Sequence, residues 1–453
     1  MMSIRLLIAG LIILTLGCSN PKELSIHIER NTTKFDSLYI IDVITEKILV
    51  QISLTDSILE HKFRMNEATV GAIIVKGTEL TYLTIIEPKS GKFISVDSVS
   101  LQTKSLGDSL VNFIWKNGNE MFTEHYQEIF VEDNPDNVRR LFDSLIFVRA
   151  KIIRELSSSL TNEEIDILEY QNSSRAYSFL FYYGRWMKNY PPDNRFFDFI
   201  DKIDNENIYT KTLPNNLLYK YEIQFLRKND SIADINTFLD FIETQTISED
   251  LQDYLKAIYI KEVIVSPSYW KKHRQLFNTE SIKRALDREK NNLYAELLIS
   301  PSSSFFSSQK GEKAFDFTAQ KSDGTALKLS DLMGKLVLID TWATWCGPCI
   351  EQRPDIIQLA KDYESNSDIA ILMISVDSSI DKWKKYVSKT NPEHFGIELY
   401  IEDGMNSEFG DKFLIKSIPK YILIDAEGII INSDLNDPSY SMEKMIIDEL
   451  KRL

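Results

Sequence analysis

The sequence predicts a multidomain chain, with a small N-terminal β-domain over residues 22–108, a central α-helical region over 109–299 and a C-terminal α/β domain over 300–453. Hydrophobic periodicity carries this reading. Apolar residues alternate with period two in the first stretch, recur every three or four positions in the second, and form short apolar runs between helical patterns in the third. The run Ser300-Pro301-Ser302-Ser303-Ser304 marks the last boundary as a linker by composition. At 453 residues, 43% hydrophobic and 11% aromatic, the chain can bury large cores, which excludes a disordered tether. Its net charge of −15, with no basic cluster, offers nothing to neutralise phosphates, so nucleic acid is excluded as a partner.

In the first region, β-branched and alternating stretches predict strands at 24–28, 37–43, 48–54, 70–76, 80–87 and 93–96. These strands carry no chemical constellation, and the region reads as a spacer or docking module. In the second, Leu141, Leu145, Val148 and Ile152 recur at helical spacing between 138 and 156, and later stretches behave alike, predicting stacked helices. The cluster Tyr177, Phe179, Phe181, Tyr182, Tyr183 and Trp186 reads as core rather than as a peptide-binding surface, because aromatic side chains dominate buried packing. His27, His61, His125, His273 and His394 are scattered, and none has a ligand motif. In the third, a β-hairpin is expected at 315–329, strands at 336–340 and 369–376, and helices at 349–365 and 380–388. A hairpin at 421–432 turning at Gly428 and a closing helix at 441–453 complete it.

The chemistry lies at Trp345-Cys346-Gly347-Pro348-Cys349, just after the apolar run from Leu336 to Asp340. A strand there delivers two cysteines to a helix start, and a three-residue offset lets both sulfurs close one small disulfide ring. Unpaired N–H groups at a helix N-terminus stabilise a thiolate. Cys346 is therefore assigned as the attacking thiolate and Cys349 as the resolving thiol that releases a mixed disulfide. Pro348 limits the turn and donates no hydrogen bond, while Gly347 lets another chain approach. Zinc would need a second pair of ligands, which the sequence does not offer, so no metal is expected. A purely structural bridge over so short a loop would constrain little of the unfolded chain.

Together with Phe315-Asp316-Phe317, Gly324, Leu329-Ser330-Asp331-Leu332, Gly334-Lys335 and Ser417-Ile418-Pro419-Lys420-Tyr421, this motif resembles the thioredoxin-fold, membrane-tethered thiol-disulfide oxidoreductases of the TlpA and ResA type. The resemblance spans roughly the last third of the chain. It implies that Asp340 matches the buried carboxylate that exchanges a proton with the resolving cysteine, with a pKa raised by desolvation. It also implies that Pro419 is cis and faces the disulfide, with Ile418 offering backbone hydrogen bonds to an incoming peptide. Trp342 and Trp345 are expected to pack around the disulfide and shield it. Many relatives carry a glutamate three residues after the second cysteine, where this chain has Gln352 with Glu351 before it. Neighbouring helix positions face about 100° apart, so Glu351 does not substitute for that acid.

At the other end, Arg5 precedes an apolar run from Leu6 to Leu16, too short for a transmembrane helix of about 20 residues. It resembles a lipoprotein signal peptide over residues 1–17. That resemblance implies lipid on Cys18 and a linker over 18–21 leading away from the membrane. The chain has three cysteines, so acylation of Cys18 would leave only Cys346 and Cys349 as thiols.

The resulting expectation is a thiol-disulfide oxidoreductase of the bacterial cell envelope, lipid-anchored and facing the periplasm, that needs no cofactor. Its partners would be protein thiols or disulfides, the membrane, and a membrane electron donor. The Gly-Pro pair between the cysteines resembles reducing thioredoxins and points to a reductase. Two rivals differ in kind: a protein- or glycan-binding lipoprotein with a non-catalytic scaffold, and a thiol peroxidase. Against the latter, Ile339 and Ala343 stand where peroxiredoxins place a proline and a hydroxyl residue.

Overall fold

The computed structural model describes residues 22–452 except 31–36, 45–47, 55–57, 66–68, 76–80, 88–90, 97–100, 132–133, 206, 208, 230–231, 233, 266–277 and 436–439. The expected signal peptide, the 18–21 linker and Cys18 lie outside the described residues. The chain divides into two compact units, one built on the strands and helices up to Ala176, the other on Tyr177–Leu453.

The first unit opens with β1 (Lys22–Arg30), β2 (Ser37–Asp42), β3 (Ile48–Ser53), β4 (Ile58–Met65), β5 (Thr69–Val75), β6 (Thr81–Ile86), β7 (Gly91–Val96) and β8 (Leu101–Thr103). They form two four-stranded sheets, ordered β4-β1-β7-β8 and β3-β2-β5-β6. Ile26, Ile28 and Ile94 from one sheet and Leu38, Ile40, Ile52 and Ile73 from the other share a single core, so the sheets form a sandwich. The sequence reading missed β4. This strand lies at a sheet edge and carries exposed Glu60 and Lys62, charges that protect an edge but hide its alternation.

Three helices follow: α1 (Leu106–Glu124), α2 (Pro135–Leu156) and α3 (Asn162–Phe181). A boundary at residue 108 falls inside α1, at a fully buried aspartate. Asp108 accepts from Ile85 N at 2.7 Å, Thr84 Oγ1 at 3.0 Å and Lys92 Nζ at 3.1 Å, all in the sandwich. One turn on, Asn112 exchanges hydrogen bonds with the backbone of Leu83 at 2.6 and 3.0 Å. The first helix is thus wired into the sheets, which is why they form one unit. In α2 the buried residues are Val138, Phe142, Arg149 and Ile153; the last three each lie one position on from the expected Leu141, Val148 and Ile152, and Val148 is half-exposed. The apolar repeat is wide enough to allow either phase, and packing selects the second.

The second unit contains α4 (Asn215–Leu226), α5 (Ile235–Glu243), α6 (Glu249–Val265), α7 (Thr279–Arg288) and α8 (Ile299–Ser307). Tyr177, Phe181 and Tyr183 are buried there, as expected of core, whereas Tyr182 is exposed. The serine-rich run expected as a linker is helical in α8, because Phe305 anchors that face in the interior and Ser302 and Ser307 hydroxyls bond back to carbonyls one turn earlier.

The rest of the unit is a seven-stranded sheet, ordered β10-β9-β13-β12-β11-β14-β15. Its strands are β9 (Thr318–Gln320), β10 (Ala326–Lys328), β11 (Leu336–Trp342), β12 (Ile369–Ser375), β13 (Ile397–Tyr400), β14 (Lys420–Ile424) and β15 (Ile430–Leu435). Helices α9 (Gly347–Asp362), α10 (Ile380–Thr390), α11 (Glu408–Lys412) and α12 (Tyr440–Leu450) accompany it. The central strands β11 and β12 run parallel and are buried at every position, as expected for a sheet covered on both faces. Alternation along β11 sends Val337 and Ile339 into one core and Leu336, Leu338 and Trp342 into the other, which also holds both cysteines.

Candidate active site

The site forms where β11 ends and α9 begins. Cys346 caps α9, with its backbone extended and its sulfur accepting from Cys349 N at 3.2 Å. Ile350 N donates to Cys346 O at 3.0 Å, closing the first turn. Pro348 occupies a first-turn position whose N–H would have had no helical partner. Cys346 and Cys349 are joined by a disulfide with S–S 2.03 Å. Their side chains are only 5% and 3% exposed, whereas Trp345 is 56% exposed and Gly347 and Pro348 are also at the surface. A Cβ added at Gly347 would meet nothing within 4 Å, so this rim is open.

The two tryptophans part company. Trp342, at 1% exposure, belongs to the core that holds the cysteines. Trp345, expected to pack around the disulfide, is instead largely exposed. It follows the end of the strand, in the turn before the cap, and its side chain goes to solvent.

That turn is pinned by a residue the sequence reading did not single out. Buried Asp377 accepts from Thr344 N at 3.0 Å, Thr344 Oγ1 at 2.7 Å and Ser375 Oγ at 2.8 Å. The available signal was its place just beyond β12, where parallel strands deliver polar residues to one end of the sheet.

The bond between Ile418 and Pro419 is cis, and Ile418 O lies 3.7 Å from Cys346 Sγ. The proline loop therefore stands beside the Cys346 sulfur. Lys420 follows, donating from Nζ to the carbonyls of Phe413 at 2.7 Å and Leu414 at 3.2 Å. Burial draws its ammonium down to about 8, against the pull of Asp434. Ser417, Pro419 and Lys420 also line a cavity of about 440 Å³ with Val265, Phe305 and Leu414.

Asp340 lies on the face of β11 that points to the cysteine-bearing core and is 3% exposed. Burial pushes its carboxyl up from an ordinary 3.8 to about 7, against the pull of Arg353 and with a further push from Glu398. Gln352 accepts from Tyr421 Oη at 2.8 Å, while Glu351 is exposed, so the two side chains diverge as their helix positions require. Among the described residues, no three His, Cys, Asp or Glu side chains gather as they would around a metal ion.

A family profile described as Redoxin matches residues 309–446. The chain is 29% identical over 122 residues to the thioredoxin-like protein YneN of Bacillus subtilis, covering 27% of this chain and 69% of that one. It is 23% identical over 129 residues to the thiol-disulfide oxidoreductase ResA of Bacillus thuringiensis, covering 28% and 71% respectively. A candidate thiol-disulfide oxidoreductase crystallised from Bacteroides vulgatus shares 31% identity, with 32% of this chain and 98% of that chain covered and a TM-score of 0.28. Over its C-terminal domain, the chain is therefore similar to the thioredoxin-like thiol-disulfide oxidoreductases of the TlpA/ResA type.

Proposed function

We propose that this chain exchanges disulfides with protein substrates through Cys346 and Cys349, working as a reductase. The observation that carries the reading is the placement of the Cys346–Cys349 pair at the first turn of α9, with the Ile418 carbonyl alongside. In the reduced chain, the unpaired N–H groups of that turn favour the Cys346 thiolate. The thiolate attacks a substrate disulfide, one substrate sulfur leaves as a thiolate, and a mixed disulfide joins Cys346 to the other. Cys349 then passes its proton to the Asp340 carboxylate and attacks the Cys346 sulfur. The bond to the substrate breaks, its electron pair leaves on the substrate sulfur, and the Cys346–Cys349 bond forms. The substrate has gained the two electrons that the chain has lost.

Trp345, Gly347 and Pro348, which are exposed, and the half-buried backbone at Ile418 and Pro419 would receive the substrate chain beside sulfurs that are themselves covered. A membrane electron donor would regenerate the dithiol. Lipid on Cys18 would hold the chain at the bacterial envelope on the periplasmic side. Among the described residues no helix is long and apolar enough to cross a membrane.

The test is the reduction potential, measured by equilibrating the protein in graded thiol-disulfide buffers and counting free thiols by alkylation and mass. A value near about −270 mV supports the reductase, and one near about −120 mV would make the chain a disulfide donor. A pair that resists reduction and exchanges with nothing would end the catalytic reading.

A further inference from the structure

Asp340 stands in a row of side chains that crosses four strands. On β11 it lies opposite Tyr421 of β14 and Met373 of β12, and Met373 lies opposite Glu398 of β13. With strands about 4.8 Å apart, the two carboxylate residues sit about 10 Å apart along the backbone, on either side of one methionine. Tyr421 and Met373 pack in the core that holds the cysteines, so the row faces α9.

From α9, Arg353 reaches down one turn beyond Cys349 and on the same side of the helix. Its guanidinium stacks 3.6 Å from the Trp342 ring centroid and donates from Nη2 to Glu398 Oε1. Asn391 Nδ2 donates to the same oxygen at 3.0 Å. Arg353 and Glu398 are both almost fully buried. Their contact is incomplete, since Arg353 Nε and Nη1 and Glu398 Oε2 have no hydrogen-bond partner among the described residues. The buried cluster thus holds one cation and two carboxyl groups, and only one of them is bonded to the cation.

We propose that Arg353 and Glu398 form a positioning pair which leaves Asp340 as the carboxyl of the cluster that takes up and returns the proton, and so governs when Cys349 can give up its proton. This rests on the reading of Asp340 as the proton acceptor for Cys349. The charge count supplies the reason. An uncompensated Arg353 above the row would hold Asp340 ionised, and a Glu398 lacking Arg353 would compete for the proton. Paired, the two nearly cancel, and the burial of Asp340 decides its state. The other core side chains facing the row are uncharged. Tyr421 Oη donates a hydrogen bond to Gln352 Oε1, α12 presents Met442 and Ile446, and α10 presents Trp383 and Val387. Burial pushes the Glu398 carboxyl up as well, against the pull of Arg353, the Asn391 hydrogen bond and His394.

The experiment follows the infrared band of the protonated Asp340 carboxyl against pH in the full chain, with the band assigned by its loss in Asp340→Asn. Glu398→Gln keeps the shape and leaves Arg353 uncompensated, so the midpoint should fall by about one pH unit or more. Arg353→Met should raise it. Simple loosening of the core would lower the midpoint in both variants, toward an ordinary carboxylate. Shifts in opposite directions therefore support the pair, while unmoved midpoints or two downward shifts overturn it. Separately, the rate at which Cys349 releases a substrate from Cys346 is measured against pH. If Asp340→Asn leaves that profile unchanged, the acceptor reading fails, and with it the claim on Cys349, whatever the infrared midpoints show.

Discussion

Replacing Asp340 with asparagine should stabilise the C-terminal domain, and increasingly so as pH rises. The carboxyl is raised from 3.8 to about 7 in the folded chain, so between those values the folded state holds a proton that the unfolded state has lost. For an acid shifted in this direction, the stabilising contribution is fully present below about pH 3.8. It is lost as pH rises toward 7, and is gone above it. A rise of about three pH units corresponds to about 4 kcal/mol in all. Between pH 5 and 8, where most of the change falls, linkage gives about 2.5 kcal/mol. Asparagine does not titrate, so the variant should gain that much on the native chain across the interval. Because a chain of two compact units need not unfold in one step, hydrogen exchange of the buried β11 amides is the suitable assay. It is run in both proteins at each pH and corrected for intrinsic exchange rates. A stability difference that stays constant to within about 1 kcal/mol from pH 5 to 8 would mean that Asp340 titrates as an ordinary carboxylate, and the reasoning would fail.

Cys346→Ser should abolish exchange with a substrate disulfide, whereas Cys349→Ser should accumulate a mixed disulfide on Cys346, visible by mass and released by added thiol. If neither variant changes function in the cell, the scaffold reading gains. Asp377→Ala removes the acceptor of three hydrogen bonds from Thr344 and Ser375, and each bond to a charged group contributes about 1.5–3 kcal/mol. The turn before Cys346 should then exchange its amides faster, and thiol-disulfide exchange should slow while both cysteines remain titratable.

The parts of this site that were legible in sequence are those fixed by local chemistry. A strand, a turn and a helix start around Cys346 and Cys349 follow from an apolar run and a Gly-Pro pair, and periodicity after residue 315 gives the strands and helices there except β13 and α11. What escaped depends on which side chains meet across strands. Nothing local in the sequence marks Glu398 and Arg353 as partners; β13 and α9 bring them together in the interior, and β13 itself is only four residues long. Asp377 offers only its place just beyond β12 as a signal, and its partner Thr344 lies 33 residues away in sequence. Trp345 was misjudged because neighbouring tryptophans look equivalent in a string, yet Trp342 ends a buried strand and Trp345 lies in the turn after it. The serine run at 300–304 misled by composition, because tertiary packing of Phe305 outweighs the weak helix propensity of serine.

Asp108 sets a limit on how this gene could be rearranged. The aspartate is contributed by the first helix but answers a lysine, a hydroxyl and an amide that belong to the sandwich. Any recombination that kept the strands and exchanged the helices would strand Lys92 without a counter-charge in a dry interior, at a cost of about 3–5 kcal/mol. Glu164 extends the link, since it accepts from Ser105 Oγ at 3.3 Å at the root of α1 and bonds to Thr161 N at the start of α3. The heritable module at this end of the chain is therefore strands and helices together, and crossovers that separate them should be rare among surviving descendants.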